Sequence, residues 1–111
     1  NDIKVFVEGV YGGEKIGIQI KNLQRTTHII VATPGRLVDL IERNVVDLKH
    51  INTVVLDEAD EMLSMGFKQD LTTILQATTN KKRNTWLFSA TMPEDLKVIV
   101  RRYISDKAAR I

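Results

Sequence analysis

The 111-residue sequence predicts an α/β fold, with a mostly parallel sheet and helices on both of its faces. Three observations predict it. Four short runs are rich in β-branched or aromatic residues, the segments between them carry apolar residues at three- and four-residue intervals, and each run stops at a compact polar cluster.

Taken in order, the first run covers residues 5–10 and leads into Tyr11-Gly12-Gly13. Helical spacing follows over residues 14–25. The second run, residues 28–32, ends at Thr33-Pro34-Gly35-Arg36, and a helical pattern follows over 35–42. The third, residues 53–56, drives straight into Asp57-Glu58-Ala59-Asp60, with a helix expected over 68–76. The fourth, residues 85–88, gives way to Ser89-Ala90-Thr91 and then to a Pro93-led helix over 94–103. Most of these strands read as buried on both faces, as parallel strands are. Lys81, Lys82 and Arg83 sit in a polar run, residues 78–84, that reads as a solvated loop; Arg101, Arg102, Lys107 and Arg110 read as a solvated helix face and the start of a linker.

Composition bounds the function classes. An apolar content of 43% suits a packed globular domain, and a formal charge of +2 is too mild to announce nucleic-acid binding by itself. The chain has no cysteine, which excludes disulfide scaffolds, thiolate zinc sites and cysteine nucleophiles. Neither a signal peptide nor a membrane span is expected, so the chain reads as soluble. The lack of cysteine is compatible with a reducing cytosol, and the expected compartment is the cytoplasm or nucleus, with the cytoplasm favoured. Asn1 is not an initiator Met and a strand pattern already begins at Ile3, so the chain is expected to be an excised piece of a larger domain.

In open α/β sheets, ligands bind beyond the carboxyl ends of the strands, so the four clusters are expected to share one edge. Gly12-Gly13 between a strand and a helix can offer backbone N–H groups to phosphate, although a glycine pair is also an ordinary turn. Thr33 can cap a helix and Pro34 suits its first turn; Gly35 and Arg36 add close backbone approach and a charged fork, which favours a phosphate contact. Asp57, directly after Val54-Val55-Leu56, stands where a Walker B carboxylate holds Mg²⁺ at a nucleotide. Glu58 is placed to polarise a water, and Asp60 to hydrogen-bond a neighbouring strand end that brings Ser89 and Thr91. An acidic helix N-terminus and a Thr91 cap would explain the same residues without chemistry.

The order Gly12-Gly13, Thr33-Pro34-Gly35-Arg36, Asp57-Glu58-Ala59-Asp60, Ser89-Ala90-Thr91 closely resembles the DEAD-box family of ATP-dependent RNA helicases, and the match spans nearly the whole chain. Ile30-Val31-Ala32, Leu37-Val38-Asp39-Leu40, Met62-Leu63 and Gly66-Phe67 resemble the same family. The resemblance implies a partial RecA-like P-loop NTPase domain, residues 1–111 being the C-terminal part of the first of two such domains. It implies that Asp57 positions Mg²⁺ with ATP, that Glu58 activates the hydrolytic water, and that Asp60, Ser89 and Thr91 couple ATP hydrolysis to unwinding. It also implies that Gly12, Gly13, Thr33, Pro34, Gly35 and Arg36 grip the RNA backbone without reading sequence.

The chain departs from the family's pattern in what it lacks: a G-x-x-x-x-G-K-[ST] phosphate loop with its strand, the glutamine motif that reads adenine, and the second RecA-like domain with its arginine finger. By itself the segment is expected not to turn over ATP. Without the phosphate-loop strand, residues 85–88 are expected to form an exposed apolar edge, and the segment to self-associate. An RNA-backbone-binding or protein-scaffold module without catalysis is the alternative reading.

Overall fold

The computed structural model describes residues 7–13, 15–24, 27–104 and 109–110, and these divide into two compact units, Asn1–Asp47 and Leu48–Ile111. Each is built on its own small parallel sheet.

In the first unit, β1 (Val7–Val10) pairs in parallel with β2 (Ile29–Ala32), in the register Val7 to Ile29 through Val10 to Ala32. The crossover between them is α1 (Ile16–Leu23), which packs against β1. The chain leaves β2 through Thr33 into α2 (Pro34–Glu42), where Pro34 takes the first helical position, at which a missing N–H costs nothing. Beyond its C-cap, Arg43, Asn44 adopts φ 59°, and Asn44 and Val45 donate their N–H groups to Ile41 and Leu40 carbonyls that the helix leaves unpaired. Val10, Val38 and Leu40 are buried in this unit.

The second unit has the larger core. There β3 (Thr53–Leu56) is followed by α3 (Ala59–Ser64) and α4 (Lys68–Ala77), then β4 (Asn84–Leu87), α5 (Glu94–Tyr103) and β5 (Ala109–Arg110). The parallel sheet has the order β3-β4-β5. Leu56 and Leu87, partners across β3 and β4, join Leu71, Leu75, Leu96 and Ile99 in one apolar cluster on which α5 packs against α3 and α4.

The α/β reading and its parallel pairing hold, with three differences. Among the described residues the strands form two sheets, so strand exits are brought together in two pairs. The strands are buried on one face only: Val7, Ile29, Val31, Val55 and Trp86 are all exposed, because strand side chains alternate and the inward face carries Val10, Val54, Leu56, Thr85 and Leu87. The expected free edge at residues 85–88 is not free. The chain returns after α5 and β5 pairs with β4 at Trp86 and Leu87, which places β4 between two neighbours.

Arg83 also departs from expectation. Lys81 and Lys82 are exposed, but the Arg83 guanidinium is drawn inward, donating to the Thr78 carbonyl at the end of α4, the Tyr103 carbonyl at the end of α5 (2.6 Å) and Thr85 Oγ1 (3.3 Å). A cation bonded to the last carbonyls of two helices complements both dipoles and ties them to β4. Arg101 and Arg102 are exposed as expected; Lys107, and the outer ends of the first run and first helix at Val5, Phe6, Glu14 and Arg25, lie outside the described residues.

Candidate nucleotide and RNA site

The exits of β1 and β2 meet in the first unit because their parallel register sets Val10 beside Ala32. The Thr33 N–H donates to the Val10 carbonyl at 2.9 Å, carrying the ladder one residue past the strands. Thr33 occupies the N-cap of α2, yet its hydroxyl does not cap that helix; Oγ1 accepts the Gly12 N–H at 3.1 Å. The expected cap is thus replaced by a tie between the two clusters. A hydroxyl aimed across the sheet satisfies a turn donor that has no ladder partner. Gly12 and Gly13 are exposed, and Gly13 has φ +87°, a conformation that strains residues with a Cβ.

Arg36, in the first turn of α2, donates from Nη1 to Gln19 Oε1 at 2.9 Å, and Gln19 Nε2 donates to the Tyr11 carbonyl at 3.0 Å. Gln19 is buried, at 2% exposure. The sequence carries one signal of it: an amide at the spacing of the apolar stripe Ile16, Ile20, Leu23. Pro34 and Gly35 lie in the same first turn as Arg36.

The exits of β3 and β4 meet in the second unit. Phe88 N–H donates to the Leu56 carbonyl at 2.9 Å, and Ala59 N–H returns to the Phe88 carbonyl at 3.1 Å, so Asp57 and Glu58 form a short connection held on both sides. Glu58 adopts φ 53°, ψ 47°, the left-handed region that costs a residue with a Cβ on the order of 1–3 kcal/mol. Both Asp57 and Glu58 are exposed. They line an open cleft of about 500 Å³ with Phe88, Ser89 and Ala90.

Asp60 is the centre of a network. Its Oδ2 accepts from Thr91 Oγ1 at 2.7 Å and from the Thr91 N–H at 3.0 Å, and its Oδ1 accepts from the Glu61 N–H at 2.9 Å. Its own N–H donates to Ser89 Oγ at 3.1 Å, and that hydroxyl donates to the Thr91 carbonyl at 2.6 Å. The Thr91 hydroxyl bond, foremost, and the backbone donors behind it hold the Asp60 carboxyl below its ordinary value of 3.8, against a smaller opposing effect of desolvation. Thr91 therefore does not cap α5, whose N-cap position is Pro93.

No group of three or more His, Asp or Glu that could hold a metal unaided occurs among the described residues. Two exposed carboxylates at the rim of a cleft fit Mg²⁺ of the kind that completes its shell with water and substrate phosphates. No helix among the described residues is long and apolar enough to cross a membrane.

Two strand-exit pairs at the carboxyl ends of parallel strands, one rich in backbone N–H groups with a cation and one rich in carboxylates, place the chain in the RecA-like α/β class. Comparison makes the assignment specific. The DEAD/DEAH box helicase family model matches residues 1–99, and the chain belongs to that family. It is 50% identical over 105 residues to RNA helicase CrhR of Synechocystis sp., and 52% identical over 105 residues to ATP-dependent RNA helicase CshA of Limosilactobacillus reuteri. Each match covers 95% of this chain and 21% of the relative, so the chain spans about a fifth of those proteins. Among solved structures, it superposes on a hypothetical ATP-dependent RNA helicase from Sulfolobus tokodaii with a TM-score of 0.88 and 42% identity, covering 97% of this chain and 32% of that one. A DEAD box protein from Methanococcus jannaschii gives 0.87 and 42%, with 97% and 29% covered.

Proposed function

We propose that this chain is the C-terminal part of the first RecA-like domain of an ATP-dependent RNA helicase, carrying the hydrolytic carboxylates and part of the RNA track. The observation that supports this reading best is the Asp60–Ser89–Thr91 network, which fixes the two strand exits of the second unit to each other beside the Asp57–Glu58 connection. Asp57 would hold Mg²⁺ with ATP at the end of β3, and bound Mg²⁺ supplies charge neutralisation at the phosphates. Glu58, exposed at the cleft, would accept a proton from the attacking water. Asp60, Ser89 and Thr91 would transmit the state of the nucleotide site, because a change at either exit must break or reform their shared hydrogen bonds.

In the first unit, Gly12, Gly13, Thr33, Pro34, Gly35 and Arg36 would hold one RNA strand by its phosphates, independent of sequence. The missing phosphate loop and second RecA-like domain would come from other parts of the protein, so the isolated segment would be ATPase-inactive. Its open sheet faces, with Val55 and Trp86 exposed, support self-association when it stands alone. RNA and the second domain are then the partners, ATP and Mg²⁺ the cofactors, and the cytoplasm the favoured compartment.

The test is Glu58→Gln in the full-length protein, which keeps side-chain size and removes the base. RNA-stimulated ATP hydrolysis should fall by about 10²- to 10⁴-fold with binding of a fluorescent ATP analogue unchanged. Hydrolysis at the wild-type rate would overturn the assignment.

A further inference from the structure

Gln19 is a polar residue where an apolar one would pack as well. It lies at 2% exposure on α1, on the stripe of Ile16, Ile20 and Leu23. Burying an amide costs free energy unless both ends are bonded, and both are: Oε1 accepts from Arg36 Nη1 at 2.9 Å, and Nε2 donates to the Tyr11 carbonyl at 3.0 Å. One side chain on α1 thus joins the guanidinium on α2 to the residue that opens the Gly12–Gly13 turn. Thr33 closes the same circuit from the other side through the Gly12 N–H.

The chemistry of the anchor matters as much as its place. A carboxylate at position 19 would pair with Arg36 and cancel its charge. A neutral amide fixes the guanidinium without adding a negative charge beside it, and the guanidinium has five donors in all. We infer that Gln19 is a positioning residue for the RNA backbone: its buried amide holds Arg36 against the Tyr11–Gly13 turn, so that cation and turn meet one stretch of sugar-phosphate together. This rests on the reading that the turn and Arg36 contact RNA.

The test uses the full-length protein and a single-stranded RNA oligonucleotide, with affinity measured across a salt series and thermal melting followed by circular dichroism. Arg36→Ala should weaken binding and flatten the salt slope by about 0.7, the loss of one phosphate contact on a single strand. Gln19→Glu should flatten the slope by a similar amount although Arg36 is still present, because the new carboxylate neutralises it. Gln19→Met, close in shape and without hydrogen bonds, should weaken binding by about 2- to 10-fold, the cost of ordering a released side chain on binding. It should raise the RNA concentration for half-maximal ATP hydrolysis and leave the rate at saturating RNA unchanged. Adding Gln19→Met to Arg36→Ala should change nothing further.

If Arg36→Ala binds RNA as wild type does, the reading of the first unit as an RNA grip fails, and this inference with it. If Arg36→Ala weakens binding while both Gln19 variants match wild type, or shift only the melting temperature, the positioning role alone is overturned. An equal loss from Gln19→Met with and without Arg36 would also overturn it, since Gln19 would then act by another route.

Discussion

The two units solve the same geometric problem with different chemistry. In each, two parallel strands end side by side and the chain past the strand ends is stitched across the gap. The first unit uses neutral groups, a Thr33 hydroxyl on the Gly12 N–H and the Gln19 amide, which also accepts from the Arg36 guanidinium. The second uses a carboxylate, with Asp60 collecting three donors from Glu61 and Thr91. The first link adds no charge of its own, whereas the second centres on a carboxylate held by neutral N–H and O–H donors. The difference also places the acid-sensitive element in the second unit.

The largest effect that sharpens this comparison concerns the cores beneath the two sites. Leu96, on α5, is fully buried in the cluster under β3 and β4, and Leu96→Ala should cost about 2–5 kcal/mol, read from urea unfolding. Asp60 should lose its amide protection with it, since the ends of β3 and β4 rest on that cluster. A loss under 1 kcal/mol would contradict the packing described.

Next come the paired glycines of the first unit, which the sequence treats alike and the structure does not. A Cβ at Gly12 meets nothing within 4 Å, whereas Gly13 sits at φ +87°. Gly13→Ala should cost about 1–2 kcal/mol and Gly12→Ala only a few tenths, compared by thermal unfolding. Equal costs would mean that the turn differs from the one described.

The smallest effect is on titration. Asp60 has its folded-state value depressed, so its contribution to stability is present above the ordinary value of 3.8 and is lost as pH falls through the lower, folded value. Thr91→Val removes the foremost cause. The Asp60 carboxyl, followed by NMR, should then titrate closer to 3.8, and the acid limb of the stability curve should become shallower. An unmoved titration would assign the depression to the backbone donors and Ser89.

Much of this was legible in the sequence, and the exceptions have physical causes. The exits of β1, β2 and β3 and the helix α5 (Glu94–Tyr103) fall where the β-branched runs and the helical spacing put them, and β4 ends one residue early, at Leu87. Helix α3 shows in the sequence only as an acidic helix N-terminus, because six residues after a left-handed Glu58 are too few to show a period, and β5 leaves no pattern because it is two residues long. Thr33 and Thr91 stand at helix starts, where local rules expect hydroxyls to cap; tertiary partners, the Gly12 N–H and the Asp60 carboxylate, take both instead. Arg83 reads as one more cation in a basic loop, and only the return of α5 shows that it binds the Tyr103 carbonyl. Gln19 was the subtlest, because a buried amide is defined by partners eight and seventeen residues away.

The division of labour between the units is tested most directly by steady-state ATP hydrolysis against single-stranded RNA concentration in full-length wild type and Arg36→Ala. The RNA concentration for half-maximal rate should rise in the variant, with the rate at saturating RNA within about twofold of wild type, as expected when a ground-state contact is removed and the hydrolytic groups are untouched. An unchanged half-saturation point, or a wild-type protein that RNA does not stimulate, would contradict the assignment of RNA grip to the first unit and hydrolysis to the second.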